Sequence, residues 1–137
     1  MAEIKSLRDW VKEYYTSGYN CAETLLHAAN EYYGLNVCDK DCKLMAGFGA
    51  GMYNGLTCGA LVGSVAAISK KIIETKAHDQ LDQIRPVVTR CVETFQQQLQ
   101  ALNCEQVKPL HYTPEEKCLP TCLLAADVLE KTMKEAV

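Results

Sequence analysis

The chain has 137 residues, 48% hydrophobic and 23% charged, with a formal net charge of −3. That length suits one domain, residues 1–137, able to bury a real core without cross-links. The acidic balance leaves no basic surplus to displace counterions from a nucleic-acid backbone, so nucleic acid is excluded as an expected partner.

Helical signals follow one another along the chain. Ser6 with Asp9 three residues on reads as the cap of a first helix, with Leu7, Trp10, Val11 and Tyr14 on one face. Gly18 ends it. Asn20 with Glu23 reads as a second cap, followed by Ala22, Leu25, Leu26 and Ala29 at helical spacing and by Gly34 as a stop. Residues 36–41 read as a polar loop, and a short helix is expected through Leu44 and Met45. Gly47 to Gly55 holds four glycines in nine residues, a mark of irregular backbone or close chain approach. No Gly-Lys-Ser/Thr follows it and no strand precedes it, which argues against a phosphate loop or a dinucleotide fingerprint.

Thr57 is expected to cap a central apolar helix from about Cys58 to Ile73. Its small-residue face, Gly59, Ala60, Gly63, Ala66 and Ala67, permits close packing against a helix or a subunit. A further helix is expected from Asp79 to about Leu102, kinked or restarted at Pro86. Thr113-Pro114-Glu115-Glu116 is a helix-start signal, and the last helix carries Leu123, Leu124, Val128 and Leu129, with Pro120 near its first turn. No alternating strand pattern appears. The fold class expected is all-α: a compact bundle of about five to six helices, with a glycine-rich segment before a central apolar helix.

The chain carries eight cysteines. The opening residues, with Glu3, Lys5, Arg8 and Asp9, lack the apolar core of a signal peptide. The apolar stretch from Ala60 to Ile68 is too short for a membrane span. A cytoplasmic location without membrane insertion is expected, and there thiols point to metal binding or redox chemistry rather than a disulfide framework. Cys21, Cys58, Cys104 and Cys118 fall at or near four expected helix N-termini. Unpaired amides and the helix dipole favour thiolate there and lower its pKa.

No Cys-x-x-Cys occurs, which disfavours thioredoxin-type motifs, ordinary zinc ribbons and covalent haem attachment. Cys38/Cys42 and Cys118/Cys122 have the spacing of one helix face, fit for chelating a metal or forming a strained disulfide. Cys91 reads as core filling, and Cys122 lies in an apolar run. His27, His78 and His111 take no assigned role. No carboxylate pair stands out as acid and base.

Several of these motifs resemble a known family. Gly18-Tyr19-Asn20-Cys21-Ala22-Glu23 is similar to the opening motif of small redox-active proteins named for their cysteine pattern, C_GCAxxG_C_C. The family's Cys-Gly-Ala-x-x-Gly hallmark is matched by Cys58-Gly59-Ala60-Leu61-Val62-Gly63, and its glycine-rich approach by residues 46–52. Its third cysteine is matched by Cys104 before Glu105. Its fourth is matched by Cys118, seven residues ahead of Ala125-Ala126-Asp127-Val128-Leu129-Glu130. Cys122 takes a position usually apolar, and four extra cysteines depart from the pattern.

The family is similar to the non-haem part of split-Soret cytochromes. The resemblance therefore implies an iron–sulfur cluster on Cys21, Cys58, Cys104 and Cys118, with electron transfer to a partner protein as its task. Gly59, Ala60 and Gly63 are expected beside that cofactor. Two other readings stay open: thiol–disulfide chemistry with Cys58 as nucleophile and a second cysteine resolving it, and a non-catalytic thiolate module holding zinc or copper. A homodimer is expected, paired through the small-residue helix or a Tyr/Met surface.

Overall fold

The computed structural model describes residues 5–136; Glu3, used above in judging an export signal, lies outside them. Seven α-helices account for most of the described residues: α1 (Leu7–Thr16), α2 (Cys21–Tyr33), α3 (Asp39–Cys42), α4 (Gly59–Ile72), α5 (Leu81–Leu99), α6 (Cys104–His111) and α7 (Leu119–Ala136). No strands occur among those residues, so the all-α class holds. The count exceeds the expected five to six because α3 and α6 are short and stand as separate elements. No helix of the described residues is long and apolar enough to cross a membrane.

Local chemistry starts the first two helices as expected. The Ser6 hydroxyl accepts from the Asp9 amide while the Asp9 carboxylate accepts from the Ser6 amide, each at 3.1 Å. Asn20 and Glu23 form the same reciprocal box at 2.9 and 3.0 Å. Gly34 closes α2 in the left-handed conformation, at φ 63°.

Elsewhere tertiary structure overrides the local signal. α3 begins inside the expected loop, at Asp39. A single turn, Ala77–Gln80, precedes α5, which runs unbroken through Pro86. Pro86 and Asp82, four residues before it, are both exposed, so water can take the carbonyl that proline leaves unbonded. Thr113-Pro114-Glu115-Glu116 starts no helix. Thr113 and Lys117 pair back on each other at 3.1 and 2.6 Å, closing a tight turn with Lys117 at φ 56°. α7 begins only after it, with Pro120 in the first turn, where its missing amide costs nothing.

Central α4 packs against α2, α5 and α7, and α1 lies across α2 and α7. One apolar core runs from Leu7 on α1 to Met133 on α7, with Leu25, Ile68, Phe95 and Leu129 fully buried. Each such side chain stabilises the fold by about 1.5–3 kcal/mol. Between α3 and α4 the chain makes a right-handed turn through Phe48, then a left-handed one. Ala50, Gly51, Met52 and Tyr53 take φ of 51°, 62°, 59° and 55° in succession. A Cβ on Gly51 would collide with the Leu56 backbone, so glycine is required at that position.

Candidate functional site: a four-cysteine cavity

The site begins with the contact between α2 and α4. An ideal Cβ on Gly59 would lie 2.8 Å from the Phe48 carbonyl oxygen and 3.2 Å from the Ala22 amide nitrogen. One turn later, a Cβ on Gly63 would overlap the Ala22 carbonyl oxygen and lie 3.0 Å from Leu25 Cβ. Both positions are therefore restricted to glycine by close backbone approach. They seat the start of α4 on the start of α2, which sets Cys58 near Cys21. The small-residue face is thus occupied by α2 within the chain.

Cys58 itself, rather than Thr57, is the N-cap residue of α4; the Ala60 and Leu61 amides bear on its sulfur without closing a capping bond. Thr57 is drawn instead into a two-stranded bridge with Asn103. The Cys58 amide donates to the Leu102 carbonyl at 2.8 Å, and the Cys104 amide donates to the Leu56 carbonyl at 2.5 Å. This reciprocal pairing fixes Cys58 and Cys104, the first residue of α6, on neighbouring strands of chain.

Cys118 is held from α1. The Tyr15 hydroxyl accepts from the Cys118 amide at 3.0 Å and donates to the Cys118 sulfur. Cys118 directly precedes α7. Its carbonyl accepts the Cys122 amide at 3.0 Å, so Cys122 stands one turn further on. The thiols of Cys118 and Cys122 neighbour that of Cys21 and move its pKa in opposite directions, Cys118 down and Cys122 up. The sequence left Cys122 as a packing residue; it is wholly buried and touches Cys21 as well.

Together Cys21, Cys58, Cys104 and Cys118 line one cavity of about 190 Å³. Tyr15, Asn20, Tyr53, Lys108 and Thr121 complete most of its polar lining; Lys108 is its cation, and no carboxylate lines it. Asn20 joins two parts of the wall, since its amide nitrogen donates to the Ala46 carbonyl at 2.9 Å while its oxygen caps α2. Among the described residues, no three Cys, His, Asp or Glu side chains converge tightly enough to grip a single ion. The sulfurs stand around a space rather than around a point.

Position at helix N-termini holds for all four cysteines, but the expected low thiol pKa does not. Burial pushes the Cys58 thiol up to about 11, against an opposing pull from the Ala60 and Leu61 amides. The Cys104 thiol is raised by burial and by Cys118, with Lys108 opposing. At Cys118 the hydrogen bond its thiol gives to Cys21, together with burial, raises the thiol far above its usual range. At Cys21 the bond with Cys118 pulls the pKa down, but Cys122, burial and the neighbouring sulfurs outweigh it. Helix-end amides act in the expected direction and lose to desolvation and sulfur–sulfur repulsion. Raised above an ordinary thiol value despite Lys108, these thiols are protonated at neutral pH.

Of the residues expected beside a cofactor, Gly59 lines the cavity. Ala60 contributes through its amide, directed at the Cys58 sulfur. Gly63 lies behind the wall, against α2. The other cysteines stand apart from the cavity lining. Cys38 is exposed and Cys42 buried, so the pair does not present both sulfurs to solvent. Cys91 is buried in the core beside Thr132. His27 is buried between Tyr14 and Tyr19, with ring centroids 4.7 and 4.6 Å away, and acts in packing.

No local pattern marks Tyr15 or Lys108 for the site; both reach the cysteines only through tertiary contact. Thr121 carried a faint signal: it lies three residues after Cys118, on the same helix face.

The donor set fits a thiolate-ligated group: four cysteine sulfurs, amides aimed at one of them, a nearby cation and no competing carboxylate. A family model described as "Putative redox-active protein (C_GCAxxG_C_C)" matches residues 19–132, a span that contains all four cavity cysteines. No curated protein and no solved structure matches the chain. The cysteine pattern and the extent of that match place the chain in the C_GCAxxG_C_C family of redox-active proteins.

Proposed function

We propose that the protein holds an iron–sulfur cluster on Cys21, Cys58, Cys104 and Cys118 and passes single electrons to a partner protein. One observation carries this reading: four cysteines from four separate helix starts line the same cavity. A cluster bound there supplies a one-electron carrier whose potential its hydrogen-bonding surroundings set. The cysteines would act as ligands, losing four protons on binding. Ala60 and Leu61 would steady the Cys58 sulfur, Tyr15 the Cys118 sulfur, and Lys108 would offset part of the thiolate charge.

One feature favours a polynuclear group over one ion. The thiols surround a cavity without converging in threes. Ligands of a cluster bind different irons, so their sulfurs stand further apart than those around one zinc.

Thiol–disulfide chemistry at Cys58 is less well supported. A nucleophilic cysteine needs an accessible thiolate. Cys58 is 4% exposed, and its thiol is pushed up to about 11. A homodimer, if formed, would use the exposed Tyr19, Met52 and Tyr53, since α2 already covers the small-residue stripe.

The test is purification without oxygen, followed by visible absorption and iron and sulfide assay. Coloured protein with both elements supports the cluster. Zinc or copper without sulfide supports the metal module. Colourless, metal-free protein with a reducible Cys58 disulfide supports the thiol–disulfide reading.

A further inference from the structure

Thr121 stands in the first turn of α7, one turn from Cys118, and lines the cysteine cavity. It is 2% exposed, and its hydroxyl oxygen has no hydrogen-bond partner among the described residues. Two other buried hydroxyls on the helices bond a carbonyl of their own helix. Ser64 donates to the Ala60 carbonyl and Thr132 to the Val128 carbonyl, each at 2.8 Å and each four residues back. Thr121 has no such helical neighbour. Four residues back lies Lys117, outside α7, whose carbonyl already accepts the Thr113 amide at 3.1 Å.

An unpaired buried hydroxyl costs about 1–3 kcal/mol, and native structures keep few of them. Here the residue that carries the hydroxyl belongs to the wall of a cavity ringed by sulfur. We infer that Thr121 donates a hydrogen bond to the group the four cysteines hold, and that this group presents an anionic sulfur acceptor, a bridging sulfide or a ligand thiolate, at the α7 wall. The inference rests on the cluster reading above. Such a bond draws electron density from the acceptor sulfur and favours the reduced state. Thr121 is thereby a binding residue in its own right, added to the four cysteines.

Thr121→Val keeps the shape of the side chain and removes the donor; Thr121→Ser keeps the donor. In the metal-free protein, Thr121→Val should melt about 3 °C or more above wild type, because an unsatisfied group has gone. In protein loaded anaerobically with iron and sulfide the sign reverses. Thr121→Val should lose iron to a chelator several-fold faster and show a more negative midpoint potential, while Thr121→Ser stays close to wild type.

A metal-free Thr121→Val that melts at or below wild type overturns the inference, since the hydroxyl would then already be satisfied. Loaded Thr121→Val with wild-type potential and wild-type iron release overturns it too. Failure of wild-type protein to load any cluster refutes the underlying reading and removes the sulfide acceptor with it. That outcome is distinct from normal loading with an unaffected variant, which refutes the donor role alone.

Discussion

A Cβ on Gly63 would overlap the carbonyl oxygen of Ala22, the residue that follows Cys21. The second glycine of the Cys-Gly-Ala-x-x-Gly motif therefore acts at a distance from the sulfurs. It sets how closely α4 approaches α2, and so how far Cys58 stands from Cys21. Gly63→Ala should cost about 1–3 kcal/mol, the usual range for overpacking, and should lower the iron bound per chain. Gly47 has nothing within 4 Å of where its Cβ would be. Gly47→Ala should change stability by no more than about 0.5 kcal/mol. Urea unfolding of both variants beside an iron assay separates a packing role from a general intolerance of the segment.

Tyr15 reaches Cys118 across 103 residues of sequence with both faces of its hydroxyl. Removing that oxygen leaves the Cys118 amide without its partner and the Cys118 sulfur without a donor. Tyr15→Phe should lose about 1 kcal/mol of stability and make the midpoint potential more negative, with the iron content largely kept. A redox titration reads the second effect, which a purely structural tyrosine would leave unmoved.

The raised thiol pKa values give the metal-free protein an alkaline weakness. Cys58 and Cys91 are each pushed up to about 11 from an ordinary value of 9.0. Below pH 9 both folded and unfolded chains hold these protons, and stability does not change with pH on their account. Between pH 9 and about 11 the unfolded chain releases them while the folded chain keeps them, so stability falls as pH rises. Melting temperature of metal-free protein should decline across that window. Cys91→Ala should flatten part of the decline, at a cost in packing. In the same way, metal uptake should strengthen as pH rises from 6 to 9, because each ligand must lose a proton.

Met52 and Tyr53 stand in the left-handed region beside the cavity. That conformation costs a non-glycine residue about 1–2 kcal/mol. Met52 is 40% exposed, so little packing is lost with its side chain. Met52→Gly should therefore stabilise the protein, by up to about 1 kcal/mol after the entropy of the added glycine. Chemical unfolding gives the sign directly.

Features written within a single turn of chain were legible in the sequence. Ser6 with Asp9, Asn20 with Glu23, and Gly34 each form the cap that their spacing predicts. Placement of Cys21 at a helix start was legible for the same reason, while Cys58 and Cys118 reach helix starts although the caps predicted at Thr57 and Thr113 do not form. Thr113 misled because it does what a cap does: its hydroxyl accepts the Glu116 amide at 3.0 Å. The chain then closes on itself through Lys117 instead of propagating a helix. Thr57 misled because Asn103, distant in sequence, claims it for a bridge. The thiol pKa values went the other way because burial and neighbouring sulfurs come from elements that no local window contains.

The central claim is that four of the eight cysteines act together on one bound cluster. Replacing each cysteine in turn by serine, and assaying iron and acid-labile sulfide after anaerobic reconstitution, tests it most directly. The account predicts that changes at Cys21, Cys58, Cys104 and Cys118 each abolish or sharply reduce both elements, while changes at Cys38, Cys42, Cys91 and Cys122 leave them bound. Wild-type protein with no iron or sulfide, or undiminished binding after loss of Cys58, would contradict it.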